Sequence, residues 1–114
     1  MYDYISIHSE HYTKKIKSKV LEEYLTSQLK FTTVSHLVFR KEVCGEFIRL
    51  TGIPANSNGN YAISTLEGVE EINLIEIDVP INMDDTLELV ISDIANAIVK
   101  EFSWIIDADQ GLDN

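Results

Sequence analysis

The sequence predicts an α+β fold: a single mainly antiparallel sheet with two helices packed on one face, in the order β-α-β-β-β-β-α-β. Three observations lead to it. From Asp85 to Phe102, the residues Leu87, Val90, Ile91, Ile94, Ala95, Ile98 and Phe102 recur at the 3.6-residue period of a helix. Earlier in the chain, runs rich in β-branched and aromatic residues are interrupted by Cys44-Gly45 and Asn58-Gly59, turn signals short enough to make hairpins and hence antiparallel neighbours. Two amphipathic helices then need one sheet face between them. At 114 residues the chain is long enough for one ordinary core, expected over 1–107, with an acidic, mobile tail over 108–114.

Each element has its own warrant. Tyr2 to Ile7 is rich in Tyr and Ile, with Tyr2, Tyr4 and Ser6 on one face and Asp3, Ile5 and Ile7 on the other, and reads as the first strand. Ser9, followed by Glu10, offers a helix cap, and Tyr12, Ile16, Val20, Leu21, Tyr24 and Leu25 give a buried face to a helix running to about Leu29. Thr33 to Val43 and Glu46 to Ile53 are the arms of a hairpin around Cys44-Gly45, with Leu37 and Phe39 on one side; Pro54 ends the second arm because it cannot donate to a ladder. Asn58-Gly59 leads into a further strand, Tyr61 to Thr65, and Leu66 to Glu70 is a connection containing Gly68. In Ile72 to Val79 the alternation changes phase. That pattern fits a central strand covered on its second face near Ile72 and open near Asp78, or equally a bulge at Leu74. Asp85 and Glu88 have capping-box spacing at the head of the second helix. Burying five or so of its aliphatic side chains contributes on the order of 10 kcal/mol before conformational entropy is set against it. Ser103 to Asp107 is a short last strand or a frayed helix end, anchored in either case by Trp104.

Charge is the strongest functional signal. The net charge is −10, and its distribution is lopsided: residues 1–57 carry eight Lys/Arg and six Asp/Glu, whereas residues 58–114 carry one and thirteen. Between Arg49 and Lys100 there is no basic residue at all. A field of that sign repels nucleic acid and anionic membrane surfaces and speeds encounter with a basic partner. Lys14, Lys15, Lys17 and Lys19 are the only basic cluster, and without further positive charge or exposed stacking aromatics they read as a solvated helix face. A single cysteine, no basic and apolar leader and no apolar run of membrane-spanning length point to a cytoplasmic protein.

Chemistry-bearing motifs are sparse. His8 and His11 have metal-ligand spacing but straddle a strand-to-helix junction, and His36 is the only other histidine, so neither a metal nor a cofactor is expected. Cys44 on its turn lacks a local base or anion hole and reads as an incidental thiol. Asp107 to Asp113 follows part of a calcium loop, but Gly111 falls one position early and the chain stops before a bidentate Glu. Glu76 and Asp78, on a mostly apolar strand, come nearest to an acid–base pair, yet an open sheet face suits them better and no enzymatic activity is expected.

The reading that follows is a small acidic protein-binding module, docking a basic protein through Glu70, Glu71, Glu76, Asp78, Asp84 and Asp85 gathered in one patch. In charge alone the chain resembles bacterial immunity proteins that neutralise cationic nuclease toxins, which implies a basic toxin as the partner. The alternative is a structural homo-oligomer or assembly subunit, a homodimer for example, joined through Ile72, Leu74 and an edge strand.

Overall fold

The computed structural model describes residues 2–58, 61, 65–81 and 83–107, with the side chains of Tyr2 and Asp3 excepted. Strand β1 (Tyr2–His8) is followed by a short 3₁₀ turn at Glu10–Tyr12, strand β2 (Ile16–Lys17) and helix α1 (Ser18–Ser27). Then come β3 (Thr32–Ser35), β4 (Val38–Val43), β5 (Glu46–Ile53), β6 (Glu71–Ile72), β7 (Leu74–Pro80), helix α2 (Asp85–Phe102) and β8 (Ile105–Asp107). Six strands form one antiparallel sheet in the order β3-β4-β5-β7-β1-β8, and β2 and β6 form a separate two-stranded ladder. The α+β class is as the sequence predicts; the extra ladder is not.

Strand alternation fixes which face the helices cover. Phe39, Val43, Ile48, Leu50, Ile75, Ile77, Val79 and Ile7 point to one side and share a core with Leu21 and Leu25 of α1 and with Leu87, Ile91, Ile94, Ala95 and Ile98 of α2. The helices lie side by side on that face, since the Tyr24 hydroxyl donates to the Ala97 carbonyl at 3.2 Å and its ring meets Phe102 edge-on. At Gly52 side chains of α1 and of the His36-Leu37 turn press close on the sheet: a Cβ there would stand 2.9 Å from Leu21 Cδ2 and 3.0 Å from Leu37 Cδ2, so any larger residue would make those leucines shift.

Helix α2 and strand β5 have the bounds their sequences predict. The cap of α2 lies one residue earlier: the Asp84 carboxylate, not that of Asp85, accepts from the Leu87 N–H at 2.8 Å. A cap of that kind contributes about 1 kcal/mol. At the other end Ser103 is left-handed (φ 57°) and turns Trp104 into the core, so the last segment is strand β8.

The first helix is the main departure. Ser9 caps nothing; its hydroxyl donates to the Lys14 carbonyl at 2.9 Å and accepts from the Lys14 N–H at 3.1 Å, closing a loop. His11 and Tyr12 have positive φ, so a helix cannot pass through them. The apolar residues assigned to a continuous helical face are used separately. Tyr12 packs on a small second core of Ile53, Ala55 and Leu74, Ile16 pairs with Ile72, and α1 proper starts at Ser18, whose hydroxyl donates to the Val69 carbonyl at 2.7 Å. The strand expected over Thr33 to Val43 is likewise divided, by a turn at His36-Leu37 in which Leu37 has φ 65° and stays buried.

The phase change in Ile72 to Val79 is a break rather than a bulge inside one strand. Ile72 belongs to the two-stranded ladder, Leu74 begins the central strand, and Asn73 between them is buried. Cys44 and Gly45, both at positive φ, make the expected tight hairpin. Residues 62–64 of the strand expected at Tyr61 to Thr65 lie outside the described residues, as does the tail over 108–114; Tyr61 itself bridges Ala55.

Candidate functional site

The face of the sheet opposite the helices is covered only in part. At one end, Tyr12 and the segment around Ala55 close over Ile53 and Leu74. Beyond that cover the described residues leave the face open, and backbone register sets out its side chains in rows. One row runs Arg40, Arg49, Asp78, Tyr4 across β4, β5, β7 and β1. The next runs Val38, Thr51, Glu76, Ser6, Asp107 from β4 to β8. Phe47, 52% exposed, flanks the first row, and the Arg40 guanidinium lies 4.9 Å from its ring centroid. Two adjoining hollows of about 350 and 320 Å³ share Arg49 and Asp78.

Electrostatically this face is divided. Both arginines stand on β4 and β5, with Glu42 two residues from Arg40 on β4 beside Phe47, and the other carboxylates stand on β7 and β8. Partial burial holds the Asp78 carboxyl above the usual carboxylate range, with the nearby Arg49 charge opposing the shift. Among the described residues no side-chain hydrogen bond reaches Asp78, whereas Glu76 accepts one from the Tyr61 hydroxyl at 2.7 Å. Partial burial and that bond push the Tyr61 phenol well above its ordinary value. Because the folded-state pKa of Asp78 is raised, its protonation favours the fold; that contribution is complete below the unfolded value and is lost as pH rises through the folded one. Asp78→Asn is therefore expected to melt above the wild type at neutral pH, the gap closing on acidification to about pH 4 as the wild type takes up its proton. Thermal melts across that range check the sign; a variant less stable than wild type at neutral pH would mean that the Arg49 attraction outweighs desolvation.

The six carboxylates expected in one patch occupy three places. Glu76 and Asp78 share the open face. Glu70 and Glu71 lie at the start of β6, where Lys17 is the cross-strand partner of Glu71 and a groove between them is lined by Lys15, Lys17, Lys19 and His36. Asp84 and Asp85 head α2, past the far end of β7, whose seven residues span roughly 20 Å. Asp84 has one oxygen committed to its cap, and Asp85 is exposed. Of the lysines expected on one helix face only Lys19 lies on α1, and Lys15, Lys17 and Lys19 border the Glu70–Glu71 groove and weaken its field.

The oligomer interface expected at Ile72 and Leu74 is not on the surface: the two are 0% and 2% exposed, Ile72 in the main core and Leu74 beneath Tyr12. What sequence reasoning missed is the arginine half of the open face. Arg40 and Arg49 stand directly opposite each other on β4 and β5, and the alternation from Val38 to Thr51 already places them together once the Cys44-Gly45 hairpin is accepted.

His8 is buried against the Tyr12 ring (4.1 Å between centroids), donates from Nδ1 to the Ser9 carbonyl at 2.8 Å, and has Nε2 3.9 Å from Asp107. His11 is exposed on its turn, and Cys44 is an exposed free thiol. Among the described residues no three His, Cys, Asp or Glu side chains gather as they would around a metal ion, and no helix is long and apolar enough to cross a membrane. Most of the calcium-like stretch, from residue 108 on, lies outside the described residues. The chain matches no protein-family model, no curated protein and no solved structure.

Proposed function

We propose that this chain is a small acidic protein-binding module that captures a basic protein, in the manner of an immunity protein neutralising a cationic toxin such as a nuclease, and that it has no catalytic step of its own. The observation that supports this most directly is Asp78: a half-buried carboxylate with no hydrogen-bond donor among the described residues, on a sheet face that those residues leave uncovered beside Glu76. Desolvating a charge is unfavourable unless a partner completes it. An incoming Lys or Arg would supply the missing donors, and Tyr4 and Tyr61, 39% and 58% exposed, offer aromatic surface for the stem of such a side chain. Asp85, Glu88 and Asp93, all exposed on α2, add long-range attraction without contact.

The contact residues in this reading are Glu76 and Asp78, with Asp84 and Asp85 steering; Glu70 and Glu71 drop to a minor role because lysines border them. Pull-down from the native host with the wild-type chain as bait is expected to recover a basic protein in a salt-sensitive complex. Reversing Glu76 and Asp78 to Lys should weaken capture by about 100-fold or more, whereas reversing Asp84 and Asp85 should mainly slow association. Recovery of no basic protein, or capture indifferent to the Glu76 and Asp78 reversals, overturns the proposal.

A further inference from the structure

The open face has a second property that a basic partner does not use. Its first row reads cation, cation, anion, aromatic across β4, β5, β7 and β1, so the charge of that row changes sign at the line between β5 and β7, with Glu42 standing outside the row beside Phe47. We infer that this face pairs with the same face of a second copy, about a two-fold axis running along the strands over that line. Such a rotation keeps each residue's height along the strand and exchanges β5 with β7 and β4 with β1. Arg49 then stands over Asp78 of the second copy, and Arg40 over Tyr4 of the second copy. Phe47 on β5 and Pro80 on β7, each two positions further along, are exchanged in the same way, which brings the 52% exposed Phe47 ring onto a proline.

Every contact occurs twice, as an isologous interface requires. The Asp78 carboxylate gains a donor where none of the described residues of its own chain supplies one, and the guanidinium is well suited to donate to it through two N–H groups. Stacked sheets of this kind sit about 10 Å apart and turn about 30° relative to one another, which long arginine and aromatic side chains can bridge. Tyr61, bonded to Glu76, walls the face on one side, so the contact is confined to four strands and about 15–20 Å in each direction. That is several hundred Å² per copy, the scale of a weak and reversible dimer rather than an obligate one. The inference does not depend on the partner proposal. Because both use Asp78, a basic partner and a second copy exclude one another.

Sedimentation equilibrium of the full chain tests it. The wild type is expected to show a concentration-dependent monomer–dimer equilibrium, and Arg49→Asp and Asp78→Arg are each expected to weaken association by at least about 10-fold. An equimolar mixture of the two variants should dimerise again, since each supplies the charge the other lacks; a merely intramolecular Arg49–Asp78 attraction cannot produce that rescue. Should either charge variant fail to fold by circular dichroism, Phe47→Ser, at an exposed position, is expected to weaken the dimer on its own. A wild type monomeric up to its solubility limit overturns the inference. So does a pair of folded variants whose mixture associates no better than either alone, or a Phe47→Ser chain that dimerises like wild type.

Discussion

Asn73→Ala is expected to lose about 3–4 kcal/mol of folding stability, a large share of the 5–15 kcal/mol typical of a domain. Asn73 is 1% exposed, and its side-chain amide takes the place of a peptide group just where β5 is cut off by Pro54. Its Oδ1 accepts from the Ala55 N–H at 2.7 Å, while Nδ2 donates to the Ala55 carbonyl at 2.8 Å and to the Tyr12 carbonyl at 3.1 Å. Its own N–H reaches the Ile53 carbonyl at 3.2 Å. One side chain thus joins three segments: the exit of β5, the entry of β7 and the loop after β1. Alanine leaves three backbone groups unpaired in a dry place, each worth about 1–3 kcal/mol before water enters to relieve part of the loss. Asn73→Asp should fare no better, because a carboxylate cannot donate to the Ala55 and Tyr12 carbonyls and would be buried as a charge. Urea unfolding followed by circular dichroism measures the effect, and a loss under about 1 kcal/mol would show that the amide is not what holds these segments together.

Trp104→Ala should be comparably damaging, at about 3–5 kcal/mol. Trp104 is 3% exposed although it follows the last turn of α2 directly. The left-handed Ser103 reverses the chain, the Trp104 N–H donates to the Val99 carbonyl at 3.2 Å, and the indole packs against Phe102 with 5.8 Å between ring centroids. Phe102 meets Tyr24 of α1 at 5.5 Å, so the indole ends a line of rings that ties the two helices together. Its removal opens a cavity at the point where β8 leaves the helix for the edge of the sheet beside β1. Denaturation monitored by far-ultraviolet circular dichroism reads the loss after the only tryptophan is gone. Near-wild-type stability would place the ring on the rim of the core.

The elements legible from the sequence are those whose energetics are local or periodic. Helix α2 declares itself because Leu87, Ile91, Ile94, Ala95 and Ile98 line one face whatever they pack against, and β5 because Gly45 before it permits the positive φ of a tight turn and Pro54 after it cannot donate to a ladder. Residues 9–17 misled for the converse reason. Their apolar spacing is helical, but Tyr12 and Ile16 are claimed by different neighbours, Leu74 and Ile72, about sixty residues further on. Propensity in a short segment is worth tenths of a kcal/mol per residue, and burial of one ring outweighs it. The site divided in the same way. Glu76 and Asp78 were found because they interrupt an apolar strand, whereas grouping them with Glu70, Glu71, Asp84 and Asp85 followed from closeness in sequence, which an extended strand turns into distance.

From its residues alone this protein is an acidic α+β domain with an amphipathic long helix, a tight Cys44-Gly45 hairpin and an anchoring tryptophan, because periodicity, φ restriction and charge count are properties of the chain itself. Only the folded molecule decided that α1 begins at Ser18, that Asn73 substitutes for a missing ladder, and that two arginines share a face with Glu76 and Asp78. Those outcomes depend on hydrogen bonds and contacts between residues far apart in sequence, whose free energies do not exist until the chain has closed on itself.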